Sequence, residues 1–182
     1  MGTITFASTN QNKYFEVQLI LSTQNISVDF AQTCLVEVQS DSLEEIARQK
    51  AKTAFAKLGR PVIVEDDGLF IDSLAGFPGQ YSSFVFKTIG NDGILKLLAG
   101  SAKRSAYFRS LIAFYNGKTL SISEGRVDGR ISDRITEGGW GYDPIFMPVG
   151  TNLTFAQLKK SKNEYSHRKR ALEKFAQWYL KL

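Results

Sequence analysis

The sequence predicts an α/β fold: a mixed β-sheet with flanking helices. Three observations predict it. Segments that alternate apolar and polar residues intermingle along the chain with segments carrying a helical stripe. One short segment, Pro61-Val62-Ile63-Val64, is wholly apolar, as strands covered on both faces are. Two further strand segments flank Asn116-Gly117, a pair that favours an antiparallel hairpin. The length of 182 residues suits a single domain over residues 1–182, undivided or split into two lobes around a central cleft.

Each element has its own signal. Thr3 to Ala7 alternates and reads as a strand. The polar run Ser8-Thr9-Asn10-Gln11-Asn12-Lys13 follows, then a helix with Phe15, Leu19, Ile20 and Leu21 on one face. Strand, polar turn and helix in that order aim backbone N–H groups at an anion. Val28 to Gln39 reads as the second strand. Ser42 and Glu45 stand at capping-box spacing before a stripe of Leu43, Ile46, Ala47, Ala51, Ala54, Phe55 and Leu58. Gly59 and Pro61 end that helix. The apolar strand at Pro61 then runs into Glu65-Asp66-Asp67-Gly68, read as an acidic turn at the strand's end. Leu69 to Leu74 is a second apolar stretch, and Gly76-Phe77-Pro78-Gly79 a loop. Tyr81 to Leu98 reads as one or two helices broken near Gly90-Asn91-Asp92-Gly93. Ala106 to Tyr115 and Thr119 to Val127 are the hairpin strands. Gly138 to Pro144 is a glycine-rich loop before the strand Ile145-Phe146-Met147. Ser166 opens a last helix to Leu182, with Ala171, Leu172, Phe175 and Tyr179 inward.

Composition narrows the function classes. Hydrophobic residues make up 43% and charged residues 23%, which excludes disorder, collagen and coiled coil as the main state. One cysteine, Cys34, excludes an internal disulfide and a Cys-rich zinc site. One histidine, His167, excludes multi-His metal centres. The formal charge of +5 favours anionic partners such as nucleotides, phosphates or nucleic acid, without choosing among them. No apolar run approaches the roughly 20 residues of a membrane helix. The start of the chain lacks a basic segment followed by an apolar one, so a cytoplasmic protein is expected.

Five polar segments fall at element junctions, where binding groups are commonly built. Ser8 to Lys13 puts hydroxyls, amides and an ammonium at a helix start and suits a polyphosphate; a plain capped helix accounts for the same pattern. Glu65-Asp66-Asp67 sets three acids side by side. A hard cation relieves their repulsion, and oxygen ligands with phosphate completing the shell suit Mg²⁺. Glu37 is a candidate second carboxylate, on a strand with Gln39 facing the same way, and Glu45 competes with it. Lys50 lies among stripe residues, an odd place for a lysine, and is a candidate phosphate ligand. Trp140-Gly141-Tyr142-Asp143 offers close backbone approach and an indole face on which a base stacks. Lys162 with Ser166-His167-Arg168 places donors at a helix start, although neighbouring lysines also fit a solvated basic face.

Taken together and in order, these segments resemble the inosine/xanthosine triphosphate pyrophosphatases, the Ham1-like family. The resemblance rests on Ser8-Thr9-Asn10-Gln11-Asn12-Lys13, Glu65-Asp66-Asp67-Gly68-Leu69, and Gly76-Phe77-Pro78-Gly79-Gln80-Tyr81-Ser82. It continues in Trp140-Gly141-Tyr142-Asp143-Pro144-Ile145-Phe146 and in Lys162 with Ser166-His167-Arg168. It spans essentially the whole chain. It implies a two-lobed α/β fold, usually a homodimer, with neither stable nucleic-acid binding nor a membrane. It also implies hydrolysis of ITP, dITP and XTP to the monophosphate and pyrophosphate with Mg²⁺, for which Mn²⁺ is a possible substitute. By position, Ser8, Thr9, Asn10, Lys13 and Lys50 hold the triphosphate, with Asp67 beside them. Asp66 is general base and metal ligand, and Glu37 the second ligand. Trp140, Gly141, Tyr142, Asp143, Lys162, His167 and Arg168 form the nucleoside pocket, where Arg168 pairs with a 6-oxo group. Three positions depart from the family pattern: Asp67 replaces Ser or Thr, Trp140 replaces Phe, and Phe84 replaces a frequent Arg. A Maf-type nucleotide pyrophosphatase is the nearest rival. A non-catalytic nucleic-acid-binding protein is the more distant one, motivated by the basic stretch from Lys159 to Arg170.

Overall fold

The structure is a computed structural model that describes residues 3–36 and 38–182. Its elements follow the expected order. β1 (Ile4–Ser8) leads into α1 (Gln11–Ser22), β2 (Val28–Gln32), α2 (Leu43–Leu58) and β3 (Val62–Ile71). After a single turn come β4 (Pro78–Gly79), α3 (Ser82–Thr88) and α4 (Gly90–Leu97). The hairpin β5 (Ser105–Tyr115) and β6 (Leu120–Ile131) precedes β7 (Phe146–Pro148). Short helices α5 (Phe155–Leu158) and α6 (Lys162–Tyr165) lead to α7 (His167–Tyr179). The strands form one mixed sheet in the order β2-β1-β3-β5-β6-β7, with β4 paired to β3. β1 is parallel to β2 and β3, while β4 and β7 run antiparallel to their neighbours. The α/β expectation holds.

The chain divides into two compact units. The first comprises residues 1–66, 110–125 and 168–182. One of its clusters packs Ile4, Phe6, Val17, Leu21, Phe114, Leu172 and Phe175. Another packs Ala7, Leu43, Ala47, Ala51, Ala54, Val62 and Val64. The small residues of α2 thus form the buried stripe read from the sequence. The second unit comprises residues 67–109 and 126–167. Its core gathers Leu69, Ile71, Ile94, Leu98, Phe108, Phe146 and Phe155. No helix among the described residues is long and apolar enough to cross a membrane.

Four expectations are corrected. The second strand stops at Gln32 instead of Gln39, so the alternation that paired Glu37 with Gln39 lapses; Glu37 itself lies outside the described residues. Glu65, Asp66 and Asp67 are not on a turn: β3 continues through them to Ile71. Ile20 and Leu21 are buried as expected, but Phe15 and Leu19 face solvent, because α1 turns Val17 inward in their place. The hairpin forms, but Asn116 keeps a negative φ and its side chain accepts from the Lys118 and Thr119 amides, so the turn is not of the doubly left-handed type.

Two tight points in the second unit carry predictions. A Cβ on Gly68 would lie 2.4 Å from the Gly79 carbonyl oxygen, a backbone atom that cannot swing aside. Gly68→Ala is expected to cost about 1–3 kcal/mol of stability, measured by urea unfolding. The Tyr142 hydroxyl donates to the Ser82 carbonyl at 2.9 Å, and burial pushes this phenol well above its ordinary value. A group protonated more firmly in the folded state contributes fully below its unfolded pKa of about 10 and loses that contribution as pH rises further. Stability should therefore hold up to about pH 10 and fall as pH rises beyond it, and fall less in Tyr142→Phe.

Candidate active site

Three consecutive acids on β3 send their side chains to alternating faces. Glu65 is 3% exposed. Its carboxylate accepts from Ser110 Oγ at 2.7 Å and from Arg168 Nε at 2.9 Å, and lies 3.6 Å from Lys13 Nζ. Asp66 Oδ1 meets Lys50 Nζ at 3.2 Å, and Lys50 also donates to the Glu65 carbonyl oxygen at 3.4 Å. These contacts lie in the first unit. In the second unit, Asp67 Oδ2 is 3.7 Å from His167 Nε2. Each acid therefore meets its own cationic or cation-capable side chain. The repulsion expected among three adjacent carboxylates is relieved by the chain itself.

The polar run before α1 is partly used by its own turn. Asn10 Oδ1 accepts from the Asn12 and Lys13 amides at 3.0 and 3.2 Å, and Ser8 Oγ accepts from the Asn10 amide at 3.1 Å. This preorganises the segment and turns Lys13 toward Glu65. Thr9 is exposed. At the start of α2, Ser42 accepts from the Glu45 amide, while Glu45 takes the Ser40 hydroxyl at 2.7 Å rather than closing the capping box.

The second unit collects an aromatic and polar set. Asp143 Oδ2 accepts from Lys162 Nζ at 2.8 Å and from the Trp140 amide at 3.3 Å. Lys162 Nζ also sits 4.9 Å from the Trp140 ring centroid. Gly139 is at φ +69°, and a Cβ there would fall 2.6 Å from Asp143 Cβ, so glycine is needed for this approach. The Gly141 carbonyl accepts from Asn91 Nδ2 at 3.0 Å, a partner on α4 with no sequence signal. Lys162, His167 and Arg168 are all buried, whereas the neighbouring Lys159, Lys160 and Arg170 are exposed.

Arg168 is paired with carboxylates in this structure. It is 1% exposed, and its guanidinium is engaged by Glu65 and by Glu16 on α1. Its donors face carboxylates in this structure, and contact with a base requires exchange of those partners. Sequence reading missed Glu16, because a glutamate on the first turns of a helix looks like a solvated residue. Its partner lies 152 residues away.

Whether the donors fit a metal ion follows from this geometry. Among the described residues, no group of three or more His, Cys, Asp and Glu side chains converges to hold a metal. Asp66 supplies a carboxylate that is 13% exposed. Mg²⁺ commonly uses one or two carboxylates and completes its shell with phosphate oxygens and water. The residues present fit an ion shared with phosphates and do not fit an all-protein cage.

The family model described as the Ham1 family matches residues 4–178. The chain belongs to the Ham1 family. Among curated relatives, the dITP/XTP pyrophosphatase of Methanopyrus kandleri is 48% identical over 180 residues, covering 97% of this chain and 95% of that protein. The dITP/XTP pyrophosphatase of Saccharolobus solfataricus is 46% identical over 171 residues, covering 93% and 89%. Among solved Ham1 structures, the HAM1 protein of Coxiella burnetii superposes with a TM-score of 0.86 at 29% identity, covering 100% of both chains. The α/β fold expected from the sequence is therefore the Ham1 fold.

Proposed function

We propose that this chain hydrolyses the non-canonical purine nucleoside triphosphates dITP, XTP and ITP to the monophosphate and pyrophosphate. The observation that carries the proposal is Asp66, partly buried on β3 with Lys50 at 3.2 Å, in a chain 48% identical to a dITP/XTP pyrophosphatase. A triphosphate carries close to four negative charges and needs cations around it. Lys13 and Lys50 supply two, joined by the Ser8 and Thr9 hydroxyls and the Asn10 amide. Mg²⁺, or Mn²⁺ in its place, held by Asp66 with Glu37 as second ligand, would neutralise phosphate charge and lower the pKa of water. Lys50 turns from Asp66 to the phosphates when substrate enters. The Asp66 carboxylate then accepts the proton of the water that attacks the α-phosphorus.

The second unit supplies base recognition. The Trp140 indole stacks on the purine, with Gly141 and Tyr142 shaping the loop beneath it. Lys162, braced by Asp143, and His167 present polar edges. In the first unit, Arg168 is the donor for a 6-oxo group once it exchanges partners. The 6-amino group of adenine offers a donor to donors, a mismatch worth roughly 10⁴ in rejection at a closed site. A homodimer is part of the same proposal, and light scattering on a sizing column reads it directly. The test of the activity is a panel of nucleoside triphosphates with Mg²⁺, assayed for pyrophosphate against orthophosphate. Pyrophosphate from dITP, XTP and ITP, with ATP spared, is expected. Orthophosphate release, or preference for ATP, would overturn the proposal.

A further inference from the structure

We propose that Asp67 is a positioning residue that orients His167 toward the nucleobase and takes no part in holding a cation. The inference deepens the pyrophosphatase reading and rests on it for the identity of the base. Both residues belong to the second unit. The His167 ring stacks on Phe108 with centroids 4.6 Å apart and planes 9° from parallel. On a looser contact it also stacks with Phe155, at 6.2 Å and 26°. Stacking fixes the plane of an imidazole. It does not fix which edge points where, because a half-turn about Cβ–Cγ leaves the ring in the same plane with its nitrogens exchanged for carbons.

Asp67 removes that ambiguity. Its Oδ2 lies 3.7 Å from Nε2, so the orientation with a nitrogen on that side gains an electrostatic contact that a C–H edge lacks. The same carboxylate favours a proton on Nε2, which determines the pattern the other edge offers to a ligand. The ring is 3% exposed, so it has little freedom to find the orientation through water. Asp66, the preceding residue, faces Lys50 in the first unit. Alternation along β3 thus gives the two aspartates different partners and different tasks.

The test uses the full chain and its single histidine, whose imidazole ¹⁵N signals need no assignment. Asp67→Asn keeps the shape and removes the charge, and Asp67→Ser repeats the comparison with a smaller group. Three quantities are measured: the imidazole signals of the nucleotide-free protein, dITP affinity without divalent ions, and the Mg²⁺ concentration for half-maximal pyrophosphate release. The proposal expects shifted imidazole signals, dITP affinity weakened by about tenfold, as loss of one charged contact gives, and Mg²⁺ half-saturation within about twofold of wild type. It also expects KM to rise more than kcat falls. Unmoved imidazole signals, unchanged dITP affinity, or a raised Mg²⁺ requirement would each overturn it. If the wild-type chain cleaves no triphosphate, the pyrophosphatase reading fails by itself, while the imidazole signals and metal-free titration still decide the role of Asp67.

Discussion

Asp66→Asn is expected to lower kcat for dITP by at least about 100-fold while dITP affinity changes by only a few fold. The amide has the shape of the carboxylate but cannot accept the proton of the attacking water. It is also a poorer partner for a cation. Affinity should survive because Lys13 and Lys50 remain. Lys50, freed from its 3.2 Å contact with Asp66, is if anything more available to phosphate. Near-normal turnover in this variant would remove Asp66 from the base role, and a collapse of affinity with no change in kcat would make it a binding residue only. Single-turnover and steady-state measurements on the same preparation separate these outcomes.

Arg168→Leu is expected to have the largest effect on stability. The guanidinium is 1% exposed, and it is the main partner of Glu65, which is 3% exposed. Removing one member of such a pair strands a buried charge and typically costs about 3–5 kcal/mol. For a chain of this size that is a fall in Tm of roughly 6–20 °C, read by a thermal melt. Ser110 and Lys13 retain contact with Glu65 and hold the loss toward the lower end. Glu16→Gln should cost far less, since that carboxylate is 17% exposed and keeps access to water. A melt within about 2 °C of wild type for Arg168→Leu would mean the pair contributes no net stability. Below its melting point the variant should also discriminate less between ITP and ATP, if Arg168 reads the 6-oxo group as proposed.

Local signals were legible where local physics decides the outcome. Ser42 caps α2, the Leu43-to-Ala54 stripe is buried, and Gly59 closes the helix in a left-handed conformation. The phase of α1 was not legible. Its apolar residues cover two faces, and only tertiary packing selects Val17, Ile20 and Leu21 over Phe15 and Leu19. The course of β3 was misread for a related reason. Three consecutive acids have poor strand propensity, and what keeps them extended is a set of partners from distant segments: Arg168, Ser110, Lys50 and His167. The candidate site residues could be named one by one from their motifs. Their pairing could not, because Glu16 meets Arg168 across 152 positions of chain and no spacing rule reaches that far.

The way the acids of β3 are matched by basic side chains bears on handling the enzyme. A scaffold whose carboxylates are neutralised from within owes nothing of its rigidity to dissolved ions, unlike proteins that collapse when stripped by a chelator. Treatment with EDTA should silence turnover yet leave the melting curve where it was, and adding the ion back should restore the rate at once, with no refolding lag.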